Sequence, residues 1–184
     1  MKRLILTFIL LIPVVFFAQE RKIKYIGGGI SIYGNTDADA LEISISPEVG
    51  IYVSKHVSIG IVLTHSSYTY KEPSESFQTS SLNSMSAYCR YYFSDMSPFN
   101  FFADFSAACA TTDSLYQKIL NLNRNKNGVE IGIKPGFSFA LTDNIKLISR
   151  IGFLGYRKDY MNKSSVIGFG ANLNDLSFGI IWSL

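Results

Sequence analysis

Apolar and polar residues alternate at period two along most of this chain. The longest run is residues 128–157, GVEIGIKPGFSFALTDNIKLISRIGFLGYR. Val129, Ile131, Ile133, Pro135, Phe137, Phe139 and Leu141 share one parity, and Glu130, Gly132, Lys134, Gly136, Ser138 and Ala140 share the other. Successive strand side chains point to opposite faces, so the run predicts a strand with one oily and one polar face. Residues 142–144 make a turn, and the alternation resumes as Ile145, Leu147, Ser149, Ile151 and Phe153 against Lys146, Ile148, Arg150, Gly152 and Leu154. Strands in soluble sheets usually run about 5–6 residues. These are longer and suit a tilted bilayer-spanning strand, which needs about 9–11.

The same reading along the chain predicts strands over 24–33, 41–53, 57–70, 82–93 and 101–111, then the hairpin, then a last strand from Leu176 to Leu184. Ile167, Phe169, Ala171 and Leu173 alternate on the opposite parity to Leu176, Phe178, Ile180 and Trp182. A β-bulge near Asn174 and Asp175 reconciles the two halves in one strand. Connections near Lys55, Ser97 and Asp143 are short, while those near Asp37, Glu75, Leu120 and Asn162 are mostly longer, and residues 116–122 have room for a helical turn. The fold class expected is all-β: an eight-stranded antiparallel up-and-down transmembrane barrel with short turns at one end and longer outer loops at the other.

The polar faces carry Glu42, Glu48, Arg90, Asp104, Glu130, Lys134, Lys146 and Arg150, four acids and four bases, among many Gly, Ser and Ala. Sparse, balanced charge among small residues fits the inside of a narrow barrel, where ions must neutralise one another. A soluble lipocalin-like ligand binder would place these faces outside and the apolar ones around a cavity. Tyr33, Tyr52, Tyr68, Tyr70, Tyr92, Phe93, Phe101, Tyr156 and Trp182 gather near strand ends, where interfacial girdles form.

Composition adds compartment. The chain has 184 residues with 14 Phe, 11 Tyr and 14 Gly, and a formal charge of +3 that falls to +1 without Lys2 and Arg3. Nothing there calls for nucleic acid. Residues 1–18 read as a secretory signal: basic Lys2 and Arg3, an apolar stretch to Phe17, then Ala18. An uncleaved anchor is the alternative. Residues 19–184 form the barrel domain. Cys89 and Cys109, the two cysteines, either bridge, if strand register allows, or serve as small hydrophobes. No metal-ligand cluster, phosphate loop or cofactor motif appears.

Two stretches carry a family resemblance. Residues 87–93, AYCRYYF, resemble the Arg-Tyr-Tyr strand ending of small OmpA/OmpX-like outer-membrane β-barrel domains. Residues 176–184, LSFGIIWSL, resemble the C-terminal signal read by the barrel assembly machinery, with Ser177, Gly179 and Trp182 fitting and Leu184 standing where Phe is usual. The resemblance implies the barrel fold and an outer-membrane location.

An eight-stranded barrel has an interior just wide enough for side chains. The expected role is therefore a monomeric structural or surface-interaction protein. Lipid surrounds it, the assembly machinery inserts it, and an extracellular partner meets its loops at 71–80 and 113–127. The enzymatic alternative is a lipid-modifying hydrolase similar to lipid A deacylases, using His65 and Ser67 on the lipid-facing side with Glu72 or Glu75 as third member.

Overall fold

A computed structural model describes residues 23–35, 40–71, 77–93, 98–112, 127–158, 160, 166–170 and 176–184. They form ten antiparallel segments: β1 (Lys24–Asn35), β2 (Ala40–Tyr52), β3 (Val57–Lys71), β4 (Phe77–Tyr92), β5 (Phe99–Thr112), β6 (Gly128–Ala140), β7 (Ile145–Arg150), β8 (Phe153–Lys158), β9 (Val166–Gly170) and β10 (Ser177–Ser183). β6 pairs with β7 along one half and β8 along the other, β9 pairs with β8, and β10 lies between β7 and β1. β7 with β8, and β9 with β10, are thus two halves of single staves. The structure is a closed eight-stranded up-and-down barrel, the fold expected.

Pairing register sets the tilt. From Gly27 the pairs lead one way through Glu48, Val62, Ser86 and Ala108 to Glu130 of β6. The other way they lead through Ile181 and Lys146 to Ala140, ten residues further along β6. Such a stagger tilts the staves by roughly 40° and spaces residues by about 2.5 Å along the barrel axis.

The faces sort as the alternation requires. Glu48, Arg90, Asp104 and Glu130 are buried, while Ile30, Ile45, Leu63, Phe105, Ile131 and Trp182 are exposed outside. The soluble-binder reading needs the reverse, so this burial overturns it. Tyr91, Phe93, Phe99 and Phe101 on the β4–β5 hairpin and Trp182 on β10 lie outward at the short-turn end. Tyr52 and Tyr92, expected in that girdle, instead turn inward and pack with Tyr25, Phe102, Ile148 and Ile181. Their parity places them on the polar face, and a ring with one hydroxyl suits a plug at the lumen end.

Two other expectations change, and one open alternative is decided. Phe153 faces inward at 0% exposure and Leu154 outward at 45%. The β6–β7 and β6–β8 registers differ by one residue, so Ile151–Gly152 is a bulge, and Gly152 sits at φ 78. A glycine takes that left-handed conformation without steric cost. Secondly, part of the stretch 71–80 is strand: β3 reaches Lys71 and pairs with β4 from Phe77, with 72–76 outside the described residues. Ladder bonds join backbones, so Ser- and Thr-rich ends extend a hairpin without apolar alternation. Thirdly, Cys89 pairs across from Phe105 and Cys109 across from Met85. Four strand positions is about 13 Å, beyond disulfide reach; both thiols are free and exposed. The signal segment, residues 94–97 and 116–122, and the bulge at Asn174 and Asp175 lie outside the described residues.

Candidate functional site

Glycines make room for the lumen's large side chains. A Cβ at Gly60 would lie 2.5 Å from the Tyr88 hydroxyl and 2.6 Å from the Val49 carbonyl, and one at Gly136 2.5 Å from the Phe102 ring. Above the aromatic plug, inward residues of four staves close a ring of ions. Arg90 donates from Nε to Asp104 Oδ1 at 2.6 Å and from Nη2 to Asp104 Oδ2 at 2.9 Å. Its Nη2 also reaches Glu48 Oε1 at 3.1 Å. Arg150 completes the circuit, Nε to Asp104 Oδ2 at 2.8 Å and Nη2 to Glu48 Oε2 at 2.7 Å. The ring sums to zero charge. The Tyr88 hydroxyl donates to Glu48, and the Arg90 guanidinium lies 4.5 Å from the centre of the Phe102 ring. Each carboxylate therefore meets two cations, the condition under which buried ions are tolerated.

Nearer the long-connection end lies a second group. Glu130 accepts from Arg157 Nε at 2.6 Å and pairs with Lys134 Nζ at 2.6 Å. Tyr160 folds in beside Leu82 and Ala110 and donates to Ser84 Oγ at 3.1 Å. Between the groups, Ser44 bonds Ser66 at 2.6 Å and Ser46 bonds Thr64 at 3.0 Å.

Of the eight charges read from the sequence, Glu48, Arg90, Asp104 and Arg150 meet in one ring and Glu130 and Lys134 in the other group. Lys146 stands in neither: its ammonium lies 5.2 Å from the Tyr52 ring centre, within the plug. Glu42 is half-buried towards the long-connection end and accepts from Ser44 at 3.4 Å. Arg157 is the functional residue that alternation missed. Unbroken alternation from Ile145 puts it on the oily face, and the bulge at Gly152 brings it inside. The legible signal was a glycine interrupting a strand followed by a cation at the parity of the oily face.

On the outer wall, His65 Nδ1 bonds Asn83 Oδ1 at 2.8 Å. Ser67 lies across from Ile43 and Ser81, and Glu72 and Glu75 fall outside the described residues. Among the described residues no group of three or more His, Cys, Asp or Glu is placed to hold a metal.

No protein-family model and no curated protein sequence matches the chain. Among solved structures, Neisserial surface protein A is similar at 18% identity and a TM-score of 0.45, over 89% of this chain and 96% of that one. The N-terminal β-barrel domain of Pseudomonas aeruginosa OprF is similar at 14% identity and a TM-score of 0.43, over 90% and 98%.

Proposed function

We propose that this chain is an integral outer-membrane protein, held in lipid by its outer wall, with a side-chain-filled lumen and a structural or surface-interaction role. The observation that carries the reading is the inversion of a soluble protein: a neutral ring of four ions inside, three of them buried, and a belt of mostly aliphatic and aromatic side chains outside. Lipid is the solvent in which that outer wall costs nothing. The ion ring and the aromatic plug span a narrow lumen, which argues against passage of large solutes.

In this reading Glu48, Arg90, Asp104 and Arg150 are a stability network, with Glu130, Lys134 and Arg157 a second one. Ser177, Gly179, Trp182 and Leu184 lie on or beside β10, the stave that closes against β1, and serve as the assembly signal. The long connections meet the extracellular partner.

The test is expression with the native N-terminus, fractionation, and electrophoresis of heated and unheated samples. Recovery with outer membranes and faster migration of the unheated band are expected. A soluble periplasmic protein with a single band position would overturn the reading.

A further inference from the structure

The apolar belt is not equally tall all round. On β6 the outward side chains are apolar from Val129 through Leu141, roughly 30 Å along the axis. From β4 into Phe93 the continuous apolar run of that parity covers Met85 to Phe93, roughly 20 Å. Above Leu63 and Met85 the outward positions become His65, Ser67 and Thr69 on β3, and Asn83, Ser81 and Thr79 on β4, with Thr111 on β5. This is a true notch in the wall. Met85 pairs with Cys109, and Cys109 with Val129. That line climbs roughly one residue per stave towards the long-connection end, from the ten-residue stagger. Val129, 40% exposed, therefore stands about level with Asn83, and Leu41, 44% exposed and paired with Thr69, about level with the polar part of β3. Apolar walls thus flank a polar one at the same height.

We infer that the β3–β4 notch seats the uncharged, hydroxyl-bearing headgroup of an outer-leaflet glycolipid. This rests on the membrane reading above. The chemistry of the pair decides the class. Asn83 Oδ1 only accepts, so Nδ1 is the His65 ring nitrogen that donates, which leaves Nε2 as the acceptor of the imidazole. Asn83 Nδ2 keeps its donors. The pair therefore offers one acceptor beside two donors, which matches a hydroxyl that both gives and takes a hydrogen bond. An unprotonated phosphate has nothing to give Nε2. Thr69 and Thr79, bonded at 3.1 Å, and Ser67 and Ser81 extend the same uncharged chemistry upwards. Lipids whose acyl chains start lower here place their heads against these groups.

The experiment refolds the full chain into phosphatidylcholine vesicles with or without digalactosyl diacylglycerol and follows unfolding by the heated and unheated gel bands. The glycolipid is expected to raise the midpoint by about 3–5 °C at roughly tenfold excess over half-saturation. Phosphatidylglycerol at the same fraction, and free galactose, are expected to leave it unchanged. His65→Leu with Asn83→Leu is expected to fold and lose the rise. Labels at Asn83→Cys and Val129→Cys, in a chain with Cys89→Ser and Cys109→Ser, supply a second readout. Bromines on the acyl chains should quench the Val129 label several-fold more than the Asn83 label. An equal rise in the double variant, an equal or larger rise with phosphatidylglycerol or free galactose, or equal quenching of both labels overturns the notch. Failure of the wild-type chain to enter any vesicle overturns the membrane reading instead.

Discussion

Arg90 is buried at 0% exposure, and both of its acidic partners are buried at 2%. Removing one member of a buried ion set leaves the others uncompensated, which costs about 3–5 kcal/mol. Arg90→Leu leaves Glu48 and Asp104 sharing Arg150, so urea unfolding of the refolded barrel in detergent should show a loss of that order. Arg90→Lys should recover only part of it, because an ammonium lacks the fork that holds Asp104 with two nitrogens. Gly60 is a different residue-scale constraint. Its missing Cβ is where the Tyr88 hydroxyl sits, so Gly60→Ala pushes Tyr88 off Glu48 and should cost about 1–3 kcal/mol by the same measurement. Both residues lie on inward parities in the sequence. Which acid each base meets was not legible there, because their partners come from staves far apart in the chain.

The bulge at Ile151–Gly152 decides the content of an element. It turns Phe153 and Arg157 inward and Leu154 and Tyr156 outward. Gly152→Ala keeps the residue count but puts a Cβ on a left-handed backbone, and should lower stability by about 1 kcal/mol. Deleting Gly152 takes out the extra residue and gives the β6–β8 pairs the register of the β6–β7 pairs, so Phe153 and Arg157 stay inward and Leu154 outward. The deletion variant should therefore refold into vesicles in a yield at least equal to that of Gly152→Ala, scored by the unheated gel band. Adding Arg157→Leu to the deletion removes the Glu130–Arg157 ion pair and should lower that yield. The β3–β4 hairpin shows the converse: its upper end has almost no apolar signal, yet backbone pairing carries it to Lys71 and Phe77.

At the scale of the whole molecule, stagger and stave number leave a lumen that side chains fill. Aromatic plug, ion ring and upper ion group are stacked along its axis. A planar bilayer holding the wild-type chain is expected to show no porin-like conductance steps. Replacing both Arg90 and Arg150 by Ala removes the widest side chains of the ring and is expected to leave the plug of Tyr25, Tyr52, Tyr92 and Phe102 still blocking large solutes. Steady large steps in the wild type would contradict a filled lumen.

Period-two alternation, read alone, determined the architecture: strand identity, the approximate ends of most strands, and which face of each is polar. It did so because a strand side chain has only two directions, and a barrel offers two different surroundings, a filled lumen and an outer wall. Alternation also named Glu48, Arg90, Asp104 and Arg150 as inward. The tertiary structure decided everything that depends on register between staves. Register separates Cys89 from Cys109, closes four of the eight charges into one ring, leaves Lys146 on aromatic rings, and sets the height at which His65 meets Asn83. A single extra residue at the bulge shifts that register by one, and parity with it, so alternation alone could not place Phe153 and Arg157. Heights around the barrel follow from the ten-residue stagger, a property of the closed ring and of no single strand.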